Sequence, residues 1–448
     1  MNTQDMDHVI AKVGSRRPEL AQVAQLVAHS LTVGEGPSVI HQARVQHFLW
    51  WTLPRNFPDE SWTQAVEATA ELLDELGEFR LAGIARSAAT ANVLAEWEKG
   101  DDNGPRAYQA AQARSGVEPP DTVVLAWGSI MGVDEVVAYE EVERTLADAI
   151  SSGDLTPGAS GWRTKAAALT EAALQRPLEL PPGQTRAGLV TTERIGAWTD
   201  SARDPALARW RADVANRLLH PIEPPSSPGE AVGPMFWLLH KAAEPAGAEL
   251  TQSNYLARTT VVEAVQRFGW WSFESAPRSE SDVHQLLVLR QAANRLRLVR
   301  RRGRRLHLTS RGRELLASPE RLWEQVATET EDDEQFTRVV TELVGLRLLR
   351  SGVESGELAS DIAPILAAQG WVIDGSPITA SQVHYAVHRP LRWWRIFNVL
   401  AETKETWERG TSLPLTPRRI ALTPDGERMV LAYLRSRAAG PRKSIYDM

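Results

Sequence analysis

Through the first half of the chain, apolar residues recur at helical spacing. After Pro58-Asp59, the positions Trp62, Val66, Ala70, Leu72, Leu73 and Leu76 trace one helical face better than an alternating strand. Comparable spacing covers residues 19–31, 38–51, 88–97, 134–150 and 162–174, so the N-terminal half is predicted to be all helical. Two breaker clusters interrupt it, Gly100-Asp101-Asp102-Asn103-Gly104-Pro105 and Glu118-Pro119-Pro120, and they set a subdomain edge near residue 117. Residues 220–229, HPIEPPSSPG, have the proline and serine content of a semi-rigid linker. The expected organisation is a helical domain at 1–117, a second helical subdomain at 118–220, a linker at 221–230, and two modules at 231–328 and 329–440.

The two C-terminal modules run through the same order of landmarks, which reads as an internal repeat. The first has a helix at 236–243, the pair Glu249-Leu250, and a helix at 261–268 ending in Gly269-Trp270. A third helix opens with Asp282-Val283-His284-Gln285, and the block RRLHLTSRGRELL follows. The second has a helix at 336–349, Glu357-Leu358, and a helix at 362–369 ending in Gly370-Trp371. Gln382-Val383-His384-Tyr385 opens its third helix, and RRIALTPDGERMV closes it.

Those closing blocks agree for mechanical reasons. Leu306 and Leu308, like Ile420 and Leu422, alternate as a half-buried strand requires. Thr309 and Thr423 are placed to cap the next helix, and Pro424 suits a first helical position. Gly312 and Gly426 would let that helix approach the hairpin closely. Three helices, a two-stranded hairpin and a closing helix make the winged-helix plan, in which the third helix can enter a major groove and the hairpin can lie along the backbone. The predicted fold class is therefore mainly α: a helical N-terminal half followed by two tandem winged-helix modules.

The run LTQSNYLARTTVVEAVQRFGWW, the block LVRRRGRRLHLTSRGRELLASPERLWEQVA and, upstream, FLWWTLPRNF resemble an uncharacterised group of actinobacterial proteins, some carrying a plasmid-type domain of unknown role. The likeness covers most of the chain in patches. It implies a family and brings with it no activity and no catalytic residue.

Composition narrows the chemistry. The 448 residues contain no cysteine, which excludes disulfides, thiolate zinc sites, iron–sulfur clusters and a thiol nucleophile. No apolar run reaches the ~20 residues of a membrane span, and the first residues lack a signal-peptide core, so a cytoplasmic location is expected. A net charge of −7 argues against indiscriminate coating of nucleic acid, so any polyanion contact must be local. No P-loop, nucleophile elbow, HExxH or dinucleotide fingerprint is present, and the carboxylates Glu140, Glu141, Glu143, Asp101 and Asp102 read as solvated helix faces. The expectation is a non-enzyme without a cofactor.

The candidate chemistry is arginine. Residues 296–315 hold eight arginines, with Arg295 just before, and Arg300, Arg301, Arg302, Arg304 and Arg305 surround the Gly303 turn. Guanidinium forks pair with phosphates, so this hairpin, with Arg311, is the leading DNA-binding candidate. In the third helix of the first module, Gln285, Arg290, Gln291, Asn294, Arg295 and Arg297 are residue types that read base edges or grip phosphate. His388, Arg389, Arg392 and Arg395 are their counterparts in the second module. The bland alternative docks the arginines onto acidic residues of the same chain, with the run 329–334 as the internal counterpart.

His384 and His388, four apart, have a spacing that suits a metal, but no third ligand is evident and no metal is expected. Adjacent tryptophans, such as Trp50-Trp51 and Trp393-Trp394, are read as one core member and one edge member. The second hairpin is mixed in charge, with Glu402, Lys404, Glu405, Glu408 and Arg409 between its strands. The expected partner is double-stranded DNA, with a protein partner or a homo-oligomer as further candidates and no membrane. The rival function is a protein-interaction scaffold whose winged helices bind proteins instead of nucleic acid.

Overall fold

The computed structural model describes residues 3–33, 36–100, 102–332, 334–403, 406–407, 414–416 and 418–443. They fall into two compact units, residues 1–193 with the segment from Pro441, and residues 194–440. Asp101 of the first breaker cluster and Lys404, Glu405, Glu408 and Arg409 of the second hairpin lie outside the described residues.

The first unit is built from helices, and five of the predicted ones are found within about a turn: Ala21–Thr32, Trp62–Glu75, Ala88–Glu98, Val133–Ser151 and Trp162–Gln175. The apolar face at 62–76 turns inward as its spacing requires, with Trp62, Leu72 and Leu73 buried beside Leu20, Leu31, Leu49 and Leu53. The helix expected at 38–51 differs. It runs as Gln42–His47, a wide π turn at Phe48–Thr52, and Leu53–Asn56. A wide turn disrupts the regular carbonyl pairing, and the Trp97 indole donates to the Trp50 carbonyl at 3.0 Å. The breaker cluster at 100–105 also differs, because the helix Asn103–Ser115 begins inside it. Pro105 is tolerated there in the first turn, and Gly104 allows the helix to cross Trp97, since a Cβ would stand 2.0 Å from the indole ring.

The second unit carries the repeat. The proline-rich stretch at 220–229 runs within it, and Arg428 donates to the Pro224 carbonyl at 3.1 Å. In the first module the helices Gly233–Ala243, Arg258–Phe268 and His284–Arg295 precede the strands Val299–Arg302 and Arg305–Leu308. Arg305–Leu308 lies between Val299–Arg302 and the short strand Ala248–Glu249 in an antiparallel sheet. In the second module the helices Gln335–Arg350, Glu357–Ala368 and Ala380–Ile396 precede a sheet in which Arg419–Leu422 lies between Val353–Glu354 and Leu400–Glu402.

The two modules match in detail at their closing turns. Thr309 Oγ1 accepts from the Gly312 amide at 2.9 Å, and Thr423 Oγ1 from the Gly426 amide at 3.0 Å. A Cβ at Gly312 would come within 2.1 Å of the Leu298 carbonyl oxygen, and one at Gly426 within 2.0 Å of the Val399 oxygen. Capping boxes stand at corresponding places, Ser279–Asp282 on the 3-10 turn Glu280–Asp282 just before the third helix of the first module and Thr379–Gln382 at the start of the third helix of the second.

Trp323, Trp393 and Trp394 are all fully buried in this unit. The reading that one member of each tryptophan pair enters a core while the other covers an edge holds for Trp50-Trp51 and fails for Trp393-Trp394, both buried, and for Trp270-Trp271, both half-buried. Trp393 meets Phe397 edge to face, while Gly345 leaves room for Trp394, its nearest approach to a Cβ there being 3.5 Å.

Candidate nucleic-acid interface

The first hairpin is tight. Arg302 and Arg305 stand opposite one another across a two-residue turn, Gly303-Arg304, and Gly303 takes φ +60°. That left-handed conformation suits glycine. Leu306 and Leu308 are buried, which fixes the register and sends Arg300 and Arg302 to the face away from the core. Arg300, Arg301, Arg302 and Arg304 are exposed, and Arg305 is half-buried.

Two of these arginines are tethered by neutral oxygens. Arg301 donates to Asn254 Oδ1 at 2.5 Å, and Arg305 to the Gly247 carbonyl at 3.5 Å. The side chains of Arg300, Arg302 and Arg304 have no hydrogen-bond or ion-pair partner among the described residues. Across the hairpin, Arg302 faces Arg305, which sets two positive charges opposite one another, and Arg300 faces His307. Like charges placed opposite on a sheet destabilise it.

The third helix of this module separates its candidates. Gln291, Asn294 and, just beyond the helix, Arg297 are exposed, whereas Gln285 is half-buried. Arg290 is locked by Glu280 at 2.6 Å, and that fully buried carboxylate also accepts from the Leu256 amide at 2.7 Å. Arg295 reaches the Thr330 carbonyl at 2.6 Å and Glu329 at 3.4 Å. Arg311 donates to Gln325 at 2.5 Å.

The acidic run at 329–334 meets other cations than the hairpin tip. Arg389 contacts Asp332 at 2.7 Å and Glu334 at 2.8 Å, and Arg392 contacts Glu331 at 2.8 Å. Glu331 also faces His284 Nε2 at 3.4 Å. Burial works against ionisation of Glu331, but hydrogen bonds and charge from His284 and Arg392 hold its carboxyl below the ordinary carboxylate range. Arg395 is held by Glu402 at 2.8 Å. The three arginines of the second module's third helix are thus neutralised, and that helix packs beside His284–Arg295 of the first. The acidic run bridges the two third helices, and among the described residues none of its carboxylates pairs with an arginine of the hairpin tip.

His384 and His388 bring their Nε2 atoms to 3.4 Å. Burial, then the charges of His384 and nearby arginines, push His388 below the ordinary imidazole range. No group of three His, Asp or Glu suited to a metal is found among the described residues. No helix among them is long and apolar enough to cross a membrane.

Asn254, Glu280 and the Thr330 carbonyl were not anticipated. Glu280 follows the capping Ser279, but nothing in the linear pattern links it to Arg290 ten residues on. Residues 231–321 match the family described as the Y4jL N-terminal domain, a plasmid-type domain. That span holds the three helices and the Arg-rich hairpin of the first module. No curated protein and no solved structure matches the chain.

Proposed function

We propose that the chain is a DNA-binding factor whose first C-terminal module acts as a winged helix, with the Arg-rich hairpin as the wing. The observation that carries this reading is the exposed trio Arg300, Arg302 and Arg304, without a carboxylate partner among the described residues, on a hairpin that sets Arg302 opposite Arg305. Sequence choices that lower local stability call for a compensating role, and a phosphate backbone supplies the missing anions. Gln291, Asn294 and Arg297 are the exposed side chains of the adjoining helix end and would meet base edges or phosphate. Arg290 and Arg295 would hold that helix in place, being already engaged by Glu280 and Thr330.

In this reading the second module braces the first, because Arg389, Arg392 and Arg395 are held by carboxylates. The test is retardation of a random-sequence duplex at low and at high salt. Retardation that disappears with salt supports the proposal. If the protein retards no duplex at low salt, the protein-scaffold reading replaces it.

A further inference from the structure

The helical first unit contains a cleft of about 610 Å³, lined by the 113–131 segment, the helices Val133–Ser151 and Trp162–Gln175, and Lys443. That size falls in the range of small-molecule sites. Three aromatic residues, Trp127, Tyr139 and Trp162, wall it. The Trp127 and Tyr139 rings meet edge to face at 5.1 Å. Trp127 is fixed in place, its indole donating to the Pro120 carbonyl at 3.2 Å and its amide to Asp121 Oδ1 at 2.8 Å. The Arg163 guanidinium stands over the Trp162 ring, 4.8 Å from its centre. Arg442 is pinned beside Gly128, where a Cβ would come within 2.6 Å of its carbonyl oxygen, and the same oxygen accepts from the Ile130 amide at 3.1 Å. Those contacts set the next residue, Lys443, at the cleft.

The charges in this cleft are of both signs and stand apart. Glu118 has no hydrogen-bond or ion-pair partner among the described residues, and neither Arg163 nor Lys443 has a carboxylate partner among them. Partial screening of the carboxyl within the cleft and the neighbouring Asp121 push Glu118 above its ordinary value. A cleft with aromatic walls and unpaired groups of opposite sign fits a ligand that carries both charges itself.

We infer that this cleft binds a small zwitterion with an aromatic or apolar body, of the amino-acid type. Its ammonium group meets Glu118 and the aromatic faces, its carboxylate meets Arg163 and Lys443, and its body rests on Trp127 and Tyr139. The inference is independent of DNA binding.

Calorimetric titration of the full chain with L-phenylalanine, L-tryptophan, L-leucine and L-methionine tests it, with phenethylamine and 3-phenylpropionate as the half-charged probes. At least one amino acid should bind, and each half-charged probe should bind at least about tenfold more weakly than L-phenylalanine or L-tryptophan. Glu118→Gln should weaken amino-acid binding about tenfold and leave 3-phenylpropionate unchanged, while Arg163→Gln should weaken amino-acid binding and leave phenethylamine unchanged. Both side chains are exposed, so neither change threatens the fold, and unaltered far-UV circular dichroism verifies that. No heat with any of the four amino acids overturns the inference. So does phenethylamine or 3-phenylpropionate binding as tightly as the amino acids, or binding that both variants retain in full.

Discussion

Arg290 donates through Nε to a carboxylate oxygen of Glu280 at 2.6 Å, and Glu280 is fully buried. The pair joins the turn before the third helix to the middle of that helix and, through the Leu256 amide, to the loop before the second helix. Removing one partner strands the other charge in the interior. Arg290→Ala or Glu280→Ala should therefore destabilise the second unit by about 3–5 kcal/mol, read as a lowered denaturant midpoint. An Arg290→Ala protein as stable as the parent would show that the residue is free for ligand contact.

Gly312 and Gly426 make the same close approach to a carbonyl oxygen in the two modules. Alanine at either site should cost at least about 1–3 kcal/mol, because backbone on both sides must shift. Gly303→Ala meets no neighbouring atom within 4 Å and strains only the turn, so it should cost about 1–2 kcal/mol. Chemical denaturation of the three variants checks the order.

The acidic bridge gives the second unit a dependence on acid. The Glu331 carboxyl lies below its ordinary range in the folded chain, so its stabilisation is present above the unfolded value and lost as pH falls through the folded one. Thermal melts of the parent should show this loss on acidification, and Glu331→Gln should show a smaller one. Identical acid profiles would remove Glu331 as a contributor.

Glu143 in the first unit works in the opposite sense. Burial, then Glu140 and Glu118, push its carboxyl up to about 7. The folded chain then holds a proton that the unfolded chain has released, so stability falls as pH rises from the ordinary carboxylate range through about 7. Glu143→Gln should be more stable than the parent at neutral pH, by on the order of 1–3 kcal/mol, and the gain should vanish in mild acid. Tyr108 and Tyr139 are pushed up by burial first and then by the charges of Glu143 and Glu118.

The parts of this structure legible in the sequence are those set by near neighbours. Alternation at Leu306 and Leu308 placed the strand, and the threonine three residues before each glycine placed the cap and the close approach. Helical spacing located the Trp62–Glu75 face, whereas the π turn at Phe48–Thr52 departs from a periodicity that fits an ordinary helix equally well. Arginine partners were not legible, because they come from distant segments: Arg389 meets Asp332 across 57 positions and Arg392 meets Glu331 across 61. The acidic run was visible as a counterpart for arginine, but only folding decides which arginines it reaches. It reaches the third helices and leaves the hairpin tip in solvent.

The most direct measurement is the salt dependence of duplex binding, by fluorescence anisotropy, for the parent and for the triple variant Arg300→Ala, Arg302→Ala, Arg304→Ala. Each phosphate contact adds about 0.9 to the slope of log affinity against log salt, so the variant should bind more weakly with a slope smaller by about 3. A variant with the parent's affinity and slope, or a parent that binds no duplex at low salt, would contradict the account.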